Sequence, residues 1–223
     1  MASSAPPTLR VPLILLALAN LVVLGLRLWP WQEVMNMPGG GAVGIDPAVS
    51  LLGYVAVIIW LAGASKEPMK TAMGTGTMLG ILGGAFLVAQ TLLSAQAAIA
   101  DGTQPAQWIK AFYVAAVLAC GFAGLQGARA TGTAGTGLLV GGWSAMVTAL
   151  IASAAILFQM YLAGPPPAST DPWKQYQGLA IGDPAMQALV QSLNSVTFFL
   201  LVGPLVGALA GLIFGIFAPA KKR

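Results

Sequence analysis

The sequence predicts an all-α, polytopic membrane protein. One integral-membrane domain would cover residues 1–223, with six transmembrane helices and both termini in the cytoplasm. Three observations predict it. Hydrophobic residues make up 57% of the chain and charged residues only 7%; a soluble domain needs roughly 25% charged residues to dress its surface. Long apolar runs recur, and in lipid every backbone polar group must be paired internally, so each run is a helix. The basic residues, finally, are divided unevenly between the two ends of those runs.

The expected spans are 11–29, 47–65, 71–99, 106–128, 134–163 and 185–218. The first follows Arg10 and superficially resembles a signal peptide. It is about 18 residues long, roughly 27 Å as a helix, which matches the hydrocarbon thickness. It ends in Arg27-Leu28-Trp29-Pro30-Trp31 with no small-residue cleavage site behind it, so it reads as an uncleaved span. The second follows Ile45-Asp46-Pro47, with Asp placed as N-cap and Pro at the first helical position. The third opens on Lys70-Thr71-Ala72-Met73-Gly74-Thr75-Gly76-Thr77, and the fifth on a similar stretch from Arg129 to Gly137. This weak repeat fits a tandem duplication of two hairpins, and low complexity alone also produces it. The fourth span follows a weaker cap, Thr103-Gln104-Pro105. Gly164-Pro165-Pro166-Pro167 then leads to Thr170-Asp171-Pro172, which predicts a short surface helix over 172–177. The sixth span follows Gly182-Asp183-Pro184 and runs for about 34 residues, roughly 51 Å, so it must tilt or stand proud of the membrane. Pro204 within it predicts a kink and a freed carbonyl near Leu200.

Charge gives the direction. With the N-terminus inside, the inner segments hold Arg10, Lys66, Lys70, Arg129, Lys221, Lys222 and Arg223, and the outer ones Arg27, Lys110 and Lys174. Seven bases face in and three face out, the bias expected of cytoplasmic loops. Glu33, Asp46, Asp101, Asp171 and Asp183 fall outside. Trp29, Trp31, Trp108, Tyr161, Trp173 and Tyr176 gather at the outer boundary and Trp60 lies near the inner one, as an interfacial belt requires. Trp143 is the exception, placed within the fifth span, where a packed or lipid-facing ring is favoured over one stacked on a ligand.

Four spans carry small residues at every fourth position: Ala72, Gly76, Gly80 and Gly84 in the third; Ala115, Ala119, Ala123 and Gly127 in the fourth. The fifth has Gly137, Gly141, Ala145, Ala149 and Ser153, and the sixth Gly203, Gly207, Gly211 and Gly215. Residues four apart share a helix face, and in lipid such grooves let backbones approach closely. Internal packing of spans three to six is the favoured reading; a site, a sliding motion or self-association through the outermost ladder are the alternatives. The first two spans have no ladder and are placed toward lipid or a partner.

The chemistry that is missing is equally informative. The chain has no histidine and a single cysteine, Cys120. A Ser–His nucleophile pair and an internal disulfide are therefore impossible, and zinc or haem loses its commonest ligand. The acids lie in predicted loops or at span ends, which disfavours a proton-coupled carrier, and the spans hold no deep lysine for retinal. Gly39-Gly40-Gly41 lacks the Gly-Lys-Ser/Thr context of a phosphate loop. No catalytic residue, cofactor, metal ligand or nucleic-acid surface is expected. Neutral polar groups remain inside the spans: Asn20, Gln90, Gln159, Gln191, Asn194, Ser195 and Thr197. Hydrogen bonding between helices is their commonest use; the sharper alternative is that Gln159, Gln191 and Asn194 line an outward-facing pocket for a neutral solute.

Six spans in 223 residues with inward termini resemble, in size and topology, the substrate-binding subunits of energy-coupling-factor vitamin transporters. The residues themselves favour a non-catalytic integral-membrane subunit of a larger complex, in contact with lipid or pigment and with other subunits or copies of itself. The alternative is a carrier, channel or binding subunit for a neutral or apolar small molecule. A lipid-active enzyme is disfavoured because no catalytic set can be named.

Overall fold

The computed structural model describes residues 10–29, 40–64, 67–100, 106–163 and 184–218. They form six helices: α1 (Arg10–Leu28), α2 (Gly40–Ala64), α3 (Glu67–Ala100), α4 (Ala106–Thr131), α5 (Ala134–Ala163) and α6 (Pro184–Ile216). All six are long and apolar enough to cross a membrane. The surface helix expected over 172–177 lies outside the described residues.

Two helices start clearly upstream of the sequence expectation: α3 at Glu67 rather than 71 and, by a larger margin, α2. α2 begins at Gly40, upstream of the Asp46-Pro47 pair, and Pro47 lies inside it. A proline near a helix start forfeits one backbone bond, whereas an unwound segment at the membrane would leave several donors unpaired. Asp46 is thus a residue of the helix, exposed on its surface, and its carbonyl also accepts the Ser50 hydroxyl at 2.7 Å. α6, by contrast, opens on Pro184 itself, where the missing N–H is no loss.

α5 is the centre of the bundle. Two-thirds of its spanning segment (67%) is buried, against 22% for α1. α3, α4 and α5 pack on one another, as do α4, α5 and α6, so that α3 and α6 flank the α4–α5 pair. α1 packs on α5 and α2, and α2 on α6. The interior accordingly has two textures. Between α1, α2, α5 and α6 it is built of bulky side chains, among them Leu24, Leu51, Ile58, Leu150, Leu193 and Leu200. Around α3 and α4 it narrows to small clusters such as Ala72, Ala123 and Val140, or Leu87, Ala116 and Ala152. Large apolar side chains elsewhere face outward, for example Leu15 and Val22 on α1, Ile59 on α2 and Leu205 and Leu209 on α6. Patches of that extent are untenable in water and ordinary in lipid.

The α4–α5 connection is the tightest described turn. Gly132 has a positive φ of 78° and its N–H bonds the Ala128 carbonyl at 2.7 Å, a left-handed glycine cap on α4. Thr133 and Thr136 share a hydroxyl hydrogen bond of 2.9 Å at the start of α5. Placing a Cβ in that conformation costs about 1–2 kcal/mol. Gly132→Ala should therefore lower the thermal midpoint of the detergent-solubilised protein, while Gly135→Ala, whose Cβ would meet no atom within 4 Å, should leave it unchanged or raise it.

Candidate functional site

The glycine ladders point at one another's helices. On α3, a Cβ added at Gly76 would lie 3.0 Å from Val140 Cγ1; at Gly80, 2.5 Å from the Ser144 carbonyl oxygen; at Gly84, 2.8 Å from Ile151 Cβ. All three partners are on α5. On α6, Gly203 faces Ala149 at 3.6 Å, Gly207 meets Ala145 and the Gly141 carbonyl, and Gly211 meets Gly137 and Gly141. Gly215 lies against Ala128 and Ala134. From α5, a Cβ on Gly141 would come within 2.5 Å of the Gly207 carbonyl oxygen, and one on Gly137 within 2.8 Å of that of Gly211. Gly124 of α4 enters the same crossing, its Cβ position overlapping Gly211 Cα. The obstructing atoms are mostly backbone, which cannot turn aside as a side chain can. Ascending residues on α5 meet descending ones on α6, so this pair is antiparallel.

Polar side chains fasten the helices at other points. Asn20 of α1, 3% exposed, donates from Nδ2 to the Leu150 carbonyl of α5 at 3.0 Å. Trp143 Nε1 donates to Thr77 Oγ1 at 2.9 Å, and Thr77 passes its own proton to the Met73 carbonyl at 2.9 Å. Trp143 is thus a buried tie between α5 and α3. Thr148 Oγ1 donates to the Gly80 carbonyl at 3.0 Å, an acceptor that only a glycine face leaves reachable. The shortest of these bonds is the Tyr54 hydroxyl of α2 to the Leu200 carbonyl of α6, 2.7 Å. Leu200 is four residues before Pro204, which has no N–H, so this carbonyl lacks its helical partner. Tyr54 supplies the missing donor. Gln90 bonds within its own helix, to Ser94 Oγ at 3.2 Å.

Two buried hydroxyls have no hydrogen-bond partner among the described residues, Ser144 Oγ and Ser153 Oγ, both on α5 and both in residues fully shielded from solvent. The Cys120 thiol of α4 faces Ser144 and Thr148 and is itself buried.

Gln159, Gln191 and Asn194 are all half-buried. On α6 the inward face is Leu189, Leu193, Val196 and Leu200, each at most 1% exposed. Gln191 and Asn194 lie off that face, and both are engaged in interactions of their own. Ser195, between them, is exposed and bonds the Gln191 carbonyl of its own helix at 3.0 Å. Sequence reasoning missed Tyr54, Thr77 and Thr148. Tyr54 carried a usable signal: a tyrosine in mid-span, away from either aromatic belt, must find a partner for its hydroxyl.

The seam and the open glycines make opposite forecasts. Gly211→Val should overfill the crossing of α4, α5 and α6 at a cost of about 3 kcal/mol or more, because backbone cannot yield; loss of monodisperse protein on size exclusion would show it. Gly53→Ala and Gly74→Ala meet no atom within 4 Å and should be neutral or mildly stabilising. No protein-family model, curated protein or solved structure is significantly similar to this chain.

Proposed function

We propose that the protein is a non-catalytic integral-membrane subunit of a larger assembly, acting through the surfaces it turns outward to lipid and to neighbouring chains. The observation that carries this reading is how the interior is used. The α4–α5–α6 crossing is filled by backbone against backbone. The polar side chains Asn20, Tyr54, Thr77, Trp143 and Thr148 are spent on tying helices together. The sequence offers no histidine to an acid–base or metal mechanism. A core so committed leaves recognition to the periphery, where α1, α2 and α6 expose large apolar side chains such as Leu15, Ile59 and Leu209.

In this reading the protein resides in the plasma membrane, the cytoplasmic membrane of a bacterium, with both termini inside. The seven-to-three division of its ten Lys and Arg residues supports that direction. Fusing a reporter that folds only in the cytoplasm to the C-terminus should give active reporter, and the same domain inserted between residues 170 and 171 should not. The reverse pattern would invert the orientation.

The assembly itself is tested on the full chain taken from its native membrane into lipid nanodiscs. The expected particle has a fixed set of polypeptides and a protein mass well above the 22.7 kDa of one chain. Gln159→Leu and Asn194→Leu should leave it intact. A stable monomer that binds a neutral solute saturably, and loses it on those two substitutions, would overturn the proposal in favour of a carrier or binding subunit.

A further inference from the structure

We infer that α6 is a hinged helix, with residues 184–202 an arm that swings about Gly203-Pro204 and Tyr54 the clasp that holds it shut.

The two halves of α6 are held by different physics. From Gly207 to Gly215 the helix is gripped by backbone and small side chains on both sides. Gly207 and Gly211 lie against Gly137, Gly141 and Ala145 of α5, and Gly211 and Gly215 against Gly124 and Ala128 of α4. Any lateral movement there separates surfaces already in full contact. At Gly203 the seam relaxes: a Cβ added there would meet a single methyl, Ala149 Cβ, at 3.6 Å, an ordinary van der Waals contact. Pro204 then removes the backbone bond that would tie the arm to the clamped half at this point. Beyond it, contacts are made by side chains, which slide and re-pack: Leu189, Leu193 and Val196 inward, and Phe199 stacked on Tyr113 of α4 with centroids 6.0 Å apart.

Two groups under the arm pull in opposite directions. The Leu200 carbonyl, stripped of its i+4 donor by Pro204, accepts the Tyr54 hydroxyl at 2.7 Å. That bond exists only when the arm lies against α2. Ser153 is one ladder step beyond Ala149, the α5 residue that Gly203 faces, and its hydroxyl is wholly buried with no partner among the described residues. A buried, unsatisfied hydroxyl penalises the closed form; a cleft that opens from the aqueous end of the arm admits water to pair it, which lipid tails cannot do. Closure is thus a balance of one hydrogen bond made against one withheld. Such a balance is small enough to be reversible and can be shifted by single substitutions.

Nitroxide pairs on the full chain in nanodiscs, with Cys120→Ala as background, test this. One pair spans the arm at two lipid-facing positions, Phe158→Cys and Phe198→Cys, 58% and 59% exposed. A control pair, Leu139→Cys and Leu209→Cys, spans the clamped half. Tyr54→Phe should raise the long-distance population of the arm pair about threefold, the effect of losing one hydrogen bond between membrane helices. Ser153→Ala should lower it by a similar factor. Pro204→Ala returns a backbone donor to Leu200 and should remove the response to Tyr54→Phe. The control pair should not move in any variant. A single arm distance common to wild type, Tyr54→Phe and Ser153→Ala would overturn the hinge, and so would a control pair that shifts as far as the arm pair. Should Tyr54→Phe not fold, Ser153→Ala decides alone: failure to narrow the wild-type distribution rejects the inference.

Discussion

In hydrocarbon, two apolar helices gain nothing by leaving lipid for each other unless they pack better than lipid tails pack against either. Bulky side chains rarely achieve that, because a lipid tail is as apolar as leucine and more adaptable. Close backbone approach does, since it brings many atoms into van der Waals contact at once and excludes lipid entirely. The meeting of Gly137 and Gly141 with Gly207 and Gly211 is an approach of this kind, and Gly124 brings a third helix into it. The penalty glycine carries in an aqueous helix, on the order of 1 kcal/mol against alanine, is a smaller matter here. Unfolding into water is not the competing state, and the closeness glycine permits is the attraction itself.

The position of α5 follows from that constraint. Its small-residue face meets α4 and α6, and its Val140, Ser144, Val147 and Ile151 side meets the glycines of α3. A helix engaged on both sides in this way can only be central. α1 and α2 have no groove to offer, so they join through bulky packing and through polar bonds to backbone carbonyls: Asn20 to Leu150 and Tyr54 to Leu200. Each such bond in a membrane contributes about 0.6 kcal/mol on average. Its larger effect is positional. An amide or phenol in lipid that misses its acceptor is left desolvated and unpaired, which fixes the rotation and depth of a helix that leucines alone would allow to slide.

Much of this was legible beforehand, for reasons that particular residues make clear. Span number and length follow from hydrophobic runs, because the bilayer fixes how many residues a helix needs. The ladders at Gly76 to Gly84 and Gly203 to Gly215 were visible as spacing. What spacing withholds is azimuth, since it says which residues share a face and not what that face meets. Gln191 and Asn194 illustrate the gap, being close in number to Leu189 and Leu193 yet turned off the inward face. The freed carbonyl at Leu200 could be foreseen from Pro204, but its donor could not. Any hydroxyl on any neighbouring helix would have served, and a backbone acceptor leaves no mark in the sequence. The start of α2 departs from its Asp-Pro signal because that pair marks a helix entry in water, where an unwound segment is hydrated; near a membrane the helix continues upstream through Gly40 to Ile45.

Two ways of holding helices together therefore coexist in one bundle, and they differ in what they permit. Backbone contact is stiff: it has no rotamers, so it is either made or broken. Side-chain contact is graded, since leucines and phenylalanines exchange neighbours at little cost while remaining in an apolar environment. α6 passes from the first regime to the second at Gly203-Pro204, where its seam with α5 changes from backbones too close to admit a Cβ to one methyl at ordinary contact distance. A proline placed within the stiff regime would leave its carbonyl trapped against other backbone with no donor in reach. Placed at the boundary, it leaves that carbonyl facing α2, where a tyrosine can find it. The location of Pro204 is thus as much a property of the glycine seam that ends beside it as of the helix that contains it.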